Sequence, residues 1–394
     1  MNALKFKKRW GNVFAHDGRE KIYLKNIDLE KDRNIKGRIL FIDYIIPQED
    51  TSAGSYAAIR EMELLISLGY KITFLPQNLL DTGKYTVYLE KKGIEVITSP
   101  FYLSLESFIK ERGEEFDLAY ITRYYVVESV INTLKSYAPH CKTIFMIADL
   151  HFLRELRAFV VDNNASTLAL SEKTRQKELD AMKKVDQVIT YNEMEGAVIL
   201  SETKGLINTM KCPWVVKDPI LPGLKFEERK GIAFLGGFDH PPNFDCMKWF
   251  VTNIMPLFNG EVELSIYGSN LTEEMKFQLK DKNVKCVGFI DDVEEVYTKH
   301  LAFIAPLLSG AGIKGKVIGA LRSGIPTVLS PIAAEGTGLR NKNDCLIAKT
   351  NKEWTSSIQD LMNNKSLWEK ISSNSINFAC LLYTSDAADE GLGV

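Results

Sequence analysis

The stretch 310–316 reads GAGIKGK and combines residue types that bind anions. Gly310 and Gly312 let backbone N–H groups approach a phosphate closely, and a helix predicted to begin near Gly315 adds a favourable dipole at its N-terminus. Lys314 and Lys316 supply full positive charge against a diphosphate. The alternative is an ordinary strand–helix turn with solvated lysines. Taken alone, the stretch favours the phosphate site.

A second polar cluster, Asp149-Leu-His151, follows directly after a predicted buried strand, 143–148. Side chains in that position lie at the carboxyl edge of a parallel sheet, where ligands bind. His151 could hydrogen-bond a sugar or an acceptor, and Asp149 could orient it or polarise an attacking hydroxyl. The alternative is that Asp149 caps a helix and that His151 is a satisfied packing residue.

Two further places could face an acceptor. Gly54 and Ser55 join the first predicted strand to the first predicted helix, and a glycine there lets a substrate approach the backbone. Arg123 follows another predicted strand. An ordinary capped turn explains Gly54 and Ser55 equally well, and packing explains Arg123.

Strands alternate with helices from residue 37 onward, which predicts an α/β chain of parallel, doubly wound sheets. The last strand of the first series is expected at 187–190, and the 394 residues favour two domains. We predict an N-terminal extension at 1–36, a Rossmann-like domain at 37–212, a proline-rich linker and hinge at 213–225, and a second Rossmann-like domain at 226–379. Facing carboxyl edges would leave an interdomain cleft.

Composition excludes several classes of protein. A net charge of −2 gives no general attraction for nucleic acid, and no apolar run is long enough to predict a membrane-spanning helix. The N-terminus lacks the apolar run of a secretory signal, and the six cysteines show no metal-ligand spacing. We therefore expect a cytoplasmic protein with reduced thiols and no metal site.

The two ends of the chain need separate interpretations. Residues 4–10, LKFKKRW, are either a solvated basic segment or a peripheral contact with the inner face of an anionic membrane. Residues 380–394 resemble the in-frame translation of a transposase adapter used in DNA library preparation, so we exclude them as a sequencing artefact. The alternative is a genuine C-terminal peptide.

The motifs together resemble those of a known family. The run 303–328, closed by Ala-Ala-Glu-Gly at 333–336, is similar to the donor site of family-4 glycosyltransferases of the group 1 type. The run 234–243, FLGGFDHPPN, is similar to their other donor segment, and Asn243 is expected to be the N-cap of the helix that follows. The resemblance implies retaining enzymes of the GT-B fold, with the acceptor on the first domain and the donor on the second.

The resemblance also implies roles for particular residues. Gly236 and Gly237 would form the turn near the donor's diphosphate, with His240 beside the donor. Lys316 would neutralise the departing nucleotide. Glu335 and Gly336 would lie near the sugar and ribose, although Glu335 could be a plain surface carboxylate. One position departs from the pattern, because Gly319 stands where the family places a glutamate that holds the ribose.

The sequence therefore predicts metal-independent transfer of a hexosyl group from a nucleoside diphosphate sugar to a hydroxyl acceptor. The donor is a co-substrate, and no cofactor is expected. The acceptor would be a saccharide or a lipid-linked molecule, with surface polysaccharide as the product. Two alternatives stay open: a sugar-nucleotide epimerase of the same fold, and a catalytically silent subunit that binds a sugar nucleotide.

Overall fold

The computed structural model describes residues 35–49, 53–216 and 225–383, together with Lys5, Lys8 and Arg9. Most of the predicted extension at 1–36, residues 217–224 of the predicted linker and residues 384–394 lie outside the described residues. The first compact unit contains Met62–Ile144 and the described residues up to Ile46. The second contains Phe145–Val394 and Pro47–Glu61, as far as these are described. The predicted domain bounds stay a prediction.

Within the described residues, the first sheet has seven strands in the order β3-β2-β1-β4-β5-β6-β7. Strand β1 pairs with β2 and β4 in parallel, as β6 does with β7. The centre of β1 is fully buried, which explains its uninterrupted apolar sequence. The strands are β1 (Gly37–Asp43), β2 (Tyr70–Pro76), β3 (Glu95–Val96), β4 (Leu118–Thr122), β5 (Lys142–Ile147), β6 (Gln187–Thr190) and β7 (Thr209–Lys211).

The second sheet has six strands within the described residues, in the order β10-β9-β8-β11-β12-β13, and its neighbouring strands pair in parallel. These strands are β8 (Ile232–Leu235), β9 (Leu264–Tyr267), β10 (Val284–Gly288), β11 (Ala302–Ala305), β12 (Thr327–Leu329) and β13 (Leu346–Ile347). Two parallel α/β sheets confirm the predicted fold class.

Helices connect the strands of both sheets. In the first half of the chain they are α1 (Ala53–Ser67), α2 (Lys84–Lys91), α3 (Leu105–Arg112), α4 (Tyr124–Tyr137), α5 (His151–Asp162), α6 (Ala165–Met182) and α7 (Glu193–Glu202). In the second half they are α8 (Pro241–Asn253), α9 (Glu273–Gln278), α10 (Glu294–Lys299), α11 (Gly315–Arg322), α12 (Pro331–Ala334), α13 (Asn351–Asn363) and α14 (Lys365–Tyr383).

The structure corrects one predicted boundary of the first sheet. Strand β6 is not the last, because β7 follows it and pairs with it over Thr209–Lys211. Strand β7 lies at the edge of the sheet and its Met210 is exposed, so its sequence, TMK, lacks the apolar run that marks a buried strand. Helix α14 continues to Tyr383 and so includes the first residues of the segment 380–394.

Candidate functional site

Lys316, the last residue of the glycine-rich stretch 310–316, lies in the first turn of α11. Its Nζ donates a hydrogen bond of 2.6 Å to Asn243 Oδ1 and lies 4.4 Å from the centre of the Phe234 ring. Burial lowers the pKa of Lys316 to about 8. The ammonium is therefore held between an amide oxygen and an aromatic face.

Asn243 joins Lys316 to the predicted glycine turn. Its Nδ2 donates to the carbonyl of Gly237 at 2.7 Å. A Cβ on Gly236 would lie 2.8 Å from Asn243 Cγ and 2.9 Å from Lys316 Nζ, so a side chain at 236 would displace both groups. The structure thus brings Gly236, Gly237 and Lys316 together.

The prediction that Asn243 is an N-cap is wrong. Helix α8 begins at Pro241, and His240 occupies the cap position without a capping hydrogen bond from its side chain. Prolines at the first two helical positions start the helix earlier, because their φ is already helical and they lack the N–H that a cap would satisfy. Asn243 is consequently inside the first turn of α8, where its buried side chain hydrogen-bonds the glycine turn through the Gly237 carbonyl.

His240 lies in the same charged surroundings. Burial lowers its pKa, and the positive charges of Arg154 and Lys316 lower that pKa further. The ring is therefore neutral near pH 7, so it could accept or donate one hydrogen bond to a bound sugar without adding charge.

The glycine-rich stretch makes a close approach to the segment that carries Asp149. Gly312 has a φ of +71°, and a Cβ there would lie 2.8 Å from Asp149 Cβ and 3.0 Å from the carbonyl oxygen of Ala148. Gly310 also has a positive φ, of +134°. Only glycine fits Gly312 without strain and without a clash, so the backbone conformation of the stretch depends on this residue type.

Lys314 is directed into its own loop. Its Nζ donates to the Gly312 carbonyl at 2.6 Å, and the residue is buried. Burial lowers the pKa of Lys314 to about 8, against the attraction of the Glu335 and Glu195 carboxylates. Lys314 is thus a countercharge to the buried Glu195 carboxylate and the half-buried Glu335 carboxylate, as well as a candidate for donor binding.

Arg157, which the sequence pattern did not single out, joins two predicted site segments. Its guanidinium donates to the Gly310 carbonyl and to Glu335 Oε1, both at 2.7 Å. Gly336, next to Glu335, has a φ of +74°, and a Cβ there would meet the Asn192 side chain at 2.8 Å. The spacing of Arg154 and Arg157, three residues apart after Asp149-Leu-His151, was the available signal.

Asp149 and His151 face each other at the start of α5. The His151 Nε2 lies 3.4 Å from Asp149 Oδ1, and the Arg154 guanidinium pairs with Asp149 Oδ2. The alternative that Asp149 caps this helix is wrong. Leu150 is the cap residue, and the Glu195 and Glu178 carboxylates accept hydrogen bonds from the first backbone N–H groups.

The predicted acceptor residues are divided between the two units. Gly54 and Ser55 lie in the first turn of α1, and residues 50–52 before them are outside the described residues. A Cβ on Gly315 would lie 2.8 Å from Ala53 Cβ, so α1 begins beside the start of α11. Arg123 belongs to the first unit, where its Nε donates to Asp43 Oδ1 at 3.0 Å.

Two classes of feature are absent from the part of the chain that the structure describes. No group of three or more His, Cys, Asp or Glu side chains there is arranged to hold a metal ion. None of its helices has the length and apolar character needed to cross a membrane.

Residues 229–364 match the family described as Glycosyl transferases group 1. A curated relative, an uncharacterized 44.6 kDa protein in the cps region of Klebsiella pneumoniae, is 24% identical over 175 residues, which cover 41% of this chain and 45% of the relative. The match therefore spans less than half of the relative's length.

Solved structures resemble this chain over about nine-tenths of its length, among them the following two. Sucrose-phosphate synthase from Thermosynechococcus elongatus has a TM-score of 0.67 at 12% identity, covering 91% of this chain and 98% of its own. HepE of Anabaena, in complex with UDP and glucose, has a TM-score of 0.67 at 13% identity, covering 90% and 98%. With the family match, these confirm the resemblance to group 1 glycosyltransferases of the GT-B fold.

Proposed function

From the premise that residues 229–364 form a group 1 glycosyltransferase domain in a chain of the GT-B fold, we propose that this protein transfers a sugar from a nucleoside diphosphate sugar to a hydroxyl acceptor. The observation that carries the proposal is the enclosed Lys316 ammonium beside Gly236 and Gly237 at the start of α11. A lysine, two glycines and a helix N-terminus form a site for an anion. HepE, which has this fold, is solved with UDP and glucose, and this supports a nucleotide sugar as donor.

The proposed chemistry separates charge at one bond. Breaking the bond between the sugar and the diphosphate leaves positive charge on the ring and negative charge on the leaving group. Lys316 and the N–H groups that begin α11 stabilise the negative charge, and no metal ion is needed for this. Asp149 and His151 hold the sugar and polarise the acceptor hydroxyl. Transfer occurs with retention at the anomeric carbon.

The biological setting is a further part of the proposal. A relative in a cps region supports a role in making surface polysaccharide, on a saccharide or lipid-linked acceptor. The reaction takes place in the cytoplasm. Peripheral contact with the membrane through residues 4–10 also stays a proposal, because most of that segment lies outside the described residues.

The proposal is tested by supplying nucleoside diphosphate sugars to the full chain and measuring the free nucleoside diphosphate. Release is expected to rise at least about tenfold when a mixed panel of saccharide acceptors is added, because the acceptor hydroxyl completes the reaction. A sugar converted without any acceptor and without release of nucleotide would instead identify an epimerase. Binding of nucleotide with neither reaction would identify a silent subunit.

Binding of the donor is expected to weaken as the pH rises through about 8. Burial places the pKa of Lys316 near that value, so its charged fraction falls from about nine-tenths at pH 7 to about one-tenth at pH 9. The dissociation constant of UDP, measured by calorimetry, should rise about tenfold over this range. The Lys316→Ala protein should bind weakly at pH 7 and vary less with pH. An equal affinity at pH 7 and pH 9 would contradict the role of this lysine.

Gly319, which stands where the family places a glutamate, is the one observation that favours a catalytically silent subunit. Its surroundings bear on that alternative. A Cβ there would lie 2.9 Å from the Tyr297 hydroxyl, which itself donates to the Lys316 carbonyl at 3.2 Å. The space beside Gly319 is therefore filled by a buried tyrosine, whose pKa burial raises. A glutamate cannot be added without moving Tyr297.

Gly319→Glu is consequently expected to destabilise the protein by about 1–3 kcal/mol, the usual result of overfilling a core, and to leave turnover no higher. Urea unfolding measures the first effect and nucleotide release the second. Tyr297→Phe removes the nearest atom, so Gly319→Glu should cost less in that background. A gain of activity from none in Gly319→Glu alone would favour the silent subunit.

A further inference from the structure

We propose that two buried carboxylates, Glu178 on α6 and Glu195 on α7, are positioning residues for Asp149 and His151. They set the backbone of the turn that carries both side chains and need not contact the substrate. The inference rests on the proposed function for its effect on turnover, but its structural part stands independently.

The hydrogen bonds at the start of α5 differ from those of an ordinary helix. The first N–H groups of a helix lack partners within the helix, and a serine, aspartate or asparagine beside them usually accepts one. Here three consecutive N–H groups are satisfied by distant side chains. Glu195 Oε1 accepts from Leu150, Glu178 Oε1 from His151 and Glu178 Oε2 from Phe152, each at 3.0 Å.

This arrangement determines where Asp149 points. Asp149 stands one residue before the cap residue Leu150, and the N–H groups at this helix start are already bonded to Glu178 and Glu195. Asp149 instead directs one oxygen toward His151 and the other toward Arg154. Because the two glutamates accept these backbone hydrogen bonds, the Asp149 carboxylate faces the predicted catalytic histidine and not the backbone.

Glu195 is itself held in place, and the helix that carries Glu178 contacts the turn at a second point. Asn192 donates from Nδ2 to Glu195 Oε2 at 2.8 Å, and its Oδ1 accepts from the Glu195 backbone N–H at 2.9 Å. The Ser171 hydroxyl, also on α6, donates to the Phe152 carbonyl at 2.7 Å. Helix α6 therefore contacts the turn at two places, through Glu178 and through Ser171. The turn is therefore fixed from two helices.

Carboxylates are costly groups to use for capping at a buried position. Burial raises the pKa of Glu178 to about 8 and that of Glu195 to about 7, although the N–H groups they accept from lower both. A neutral side chain would cap at a smaller desolvation cost. In its charged form, Glu195 also places negative charge near Asp149 and Lys314, which a neutral cap would not supply.

The test compares Glu178→Gln with Glu172→Gln, a substitution of the same kind at an exposed position on the same helix. Glutamine keeps one acceptor oxygen and places an NH2 group against a backbone N–H, so one of the two bonds is lost. Hydrogen exchange of the peptide containing residues 149–156 should speed up at least about tenfold in Glu178→Gln alone. The kcat should fall about tenfold or more while the KM for the donor stays within about twofold, because Lys316 is not disturbed.

Unchanged exchange or an unchanged kcat in a folded Glu178→Gln protein would overturn the proposal, as would an equal loss in kcat and in donor affinity. If Glu178→Gln does not fold, Ser171→Ala removes the second contact more gently and should show the same pattern in smaller measure. If the parent protein transfers no sugar at all, the proposed function fails, and hydrogen exchange alone still decides whether these glutamates hold the turn.

Discussion

Lys316→Ala is expected to lower kcat at least about 100-fold and to weaken donor binding. Removal of one preorganised hydrogen-bond donor that faces the charge developing in the transition state typically lowers kcat by this factor in an enclosed site. The Lys316 Nζ has the required setting, since it lies between Asn243 Oδ1 and the Phe234 ring at the start of a helix. Nucleotide release and UDP calorimetry measure the two effects.

The control for this substitution is Lys248→Ala. Lys248 is exposed on α8, the helix that also carries Asn243, and its Nζ donates to Gln278 at the surface. Both variants lose one positive charge, so long-range charge effects cancel in the comparison. Thermal unfolding must also be followed, because Asn243 Oδ1 loses a partner in Lys316→Ala. Turnover and UDP affinity equal to those of Lys248→Ala would refute the proposed role of Lys316.

The fold was predictable because its signals are local. Strands buried on both faces, such as β1 and β11, read as short apolar runs. The strands predicted at 143–148 and 187–190 agree with β5 and β6 within one residue. The two strands that were missed carry no such signal. Strand β13 has two residues, and β7 has the sequence TMK at the edge of its sheet.

The candidate site was predictable only where its chemistry lies in the backbone or in a short motif. Gly236, Gly312 and Lys316 are recognisable because glycine and lysine at a turn between a strand and a helix are typical of anion binding. Glu178 was not recognisable, since it sits in the run Arg175-Gln-Lys-Glu178, which is typical of a solvated helix face. Its burial follows from the packing of α5 on α6, and residue spacing within one helix does not contain that information.

Gly312→Ala is expected to disrupt the glycine-rich stretch and the Asp149 turn together. Two separate penalties act at this position. The φ of +71° is a left-handed conformation, which costs an alanine about 1–2 kcal/mol. The new Cβ would also lie 2.8 Å from Asp149 Cβ and 3.0 Å from the Ala148 carbonyl oxygen, and the latter is backbone that cannot rotate away. Relief of the clash must move one segment away from the other.

Gly205→Ala separates the two penalties, because Gly205 has a similar φ of +79° and no atom within 4 Å of a Cβ. In urea unfolding, the free energy of unfolding of both variants should fall because alanine disfavours the left-handed conformation. It should fall by about 1–3 kcal/mol more in Gly312→Ala because of overpacking. A displacement near 1 Å at Asp149 should further reduce kcat about 100-fold, while Gly205→Ala keeps normal turnover. Equal stability and equal kcat in the two variants would mean that the contact between Gly312 and the Asp149 turn does not position the site.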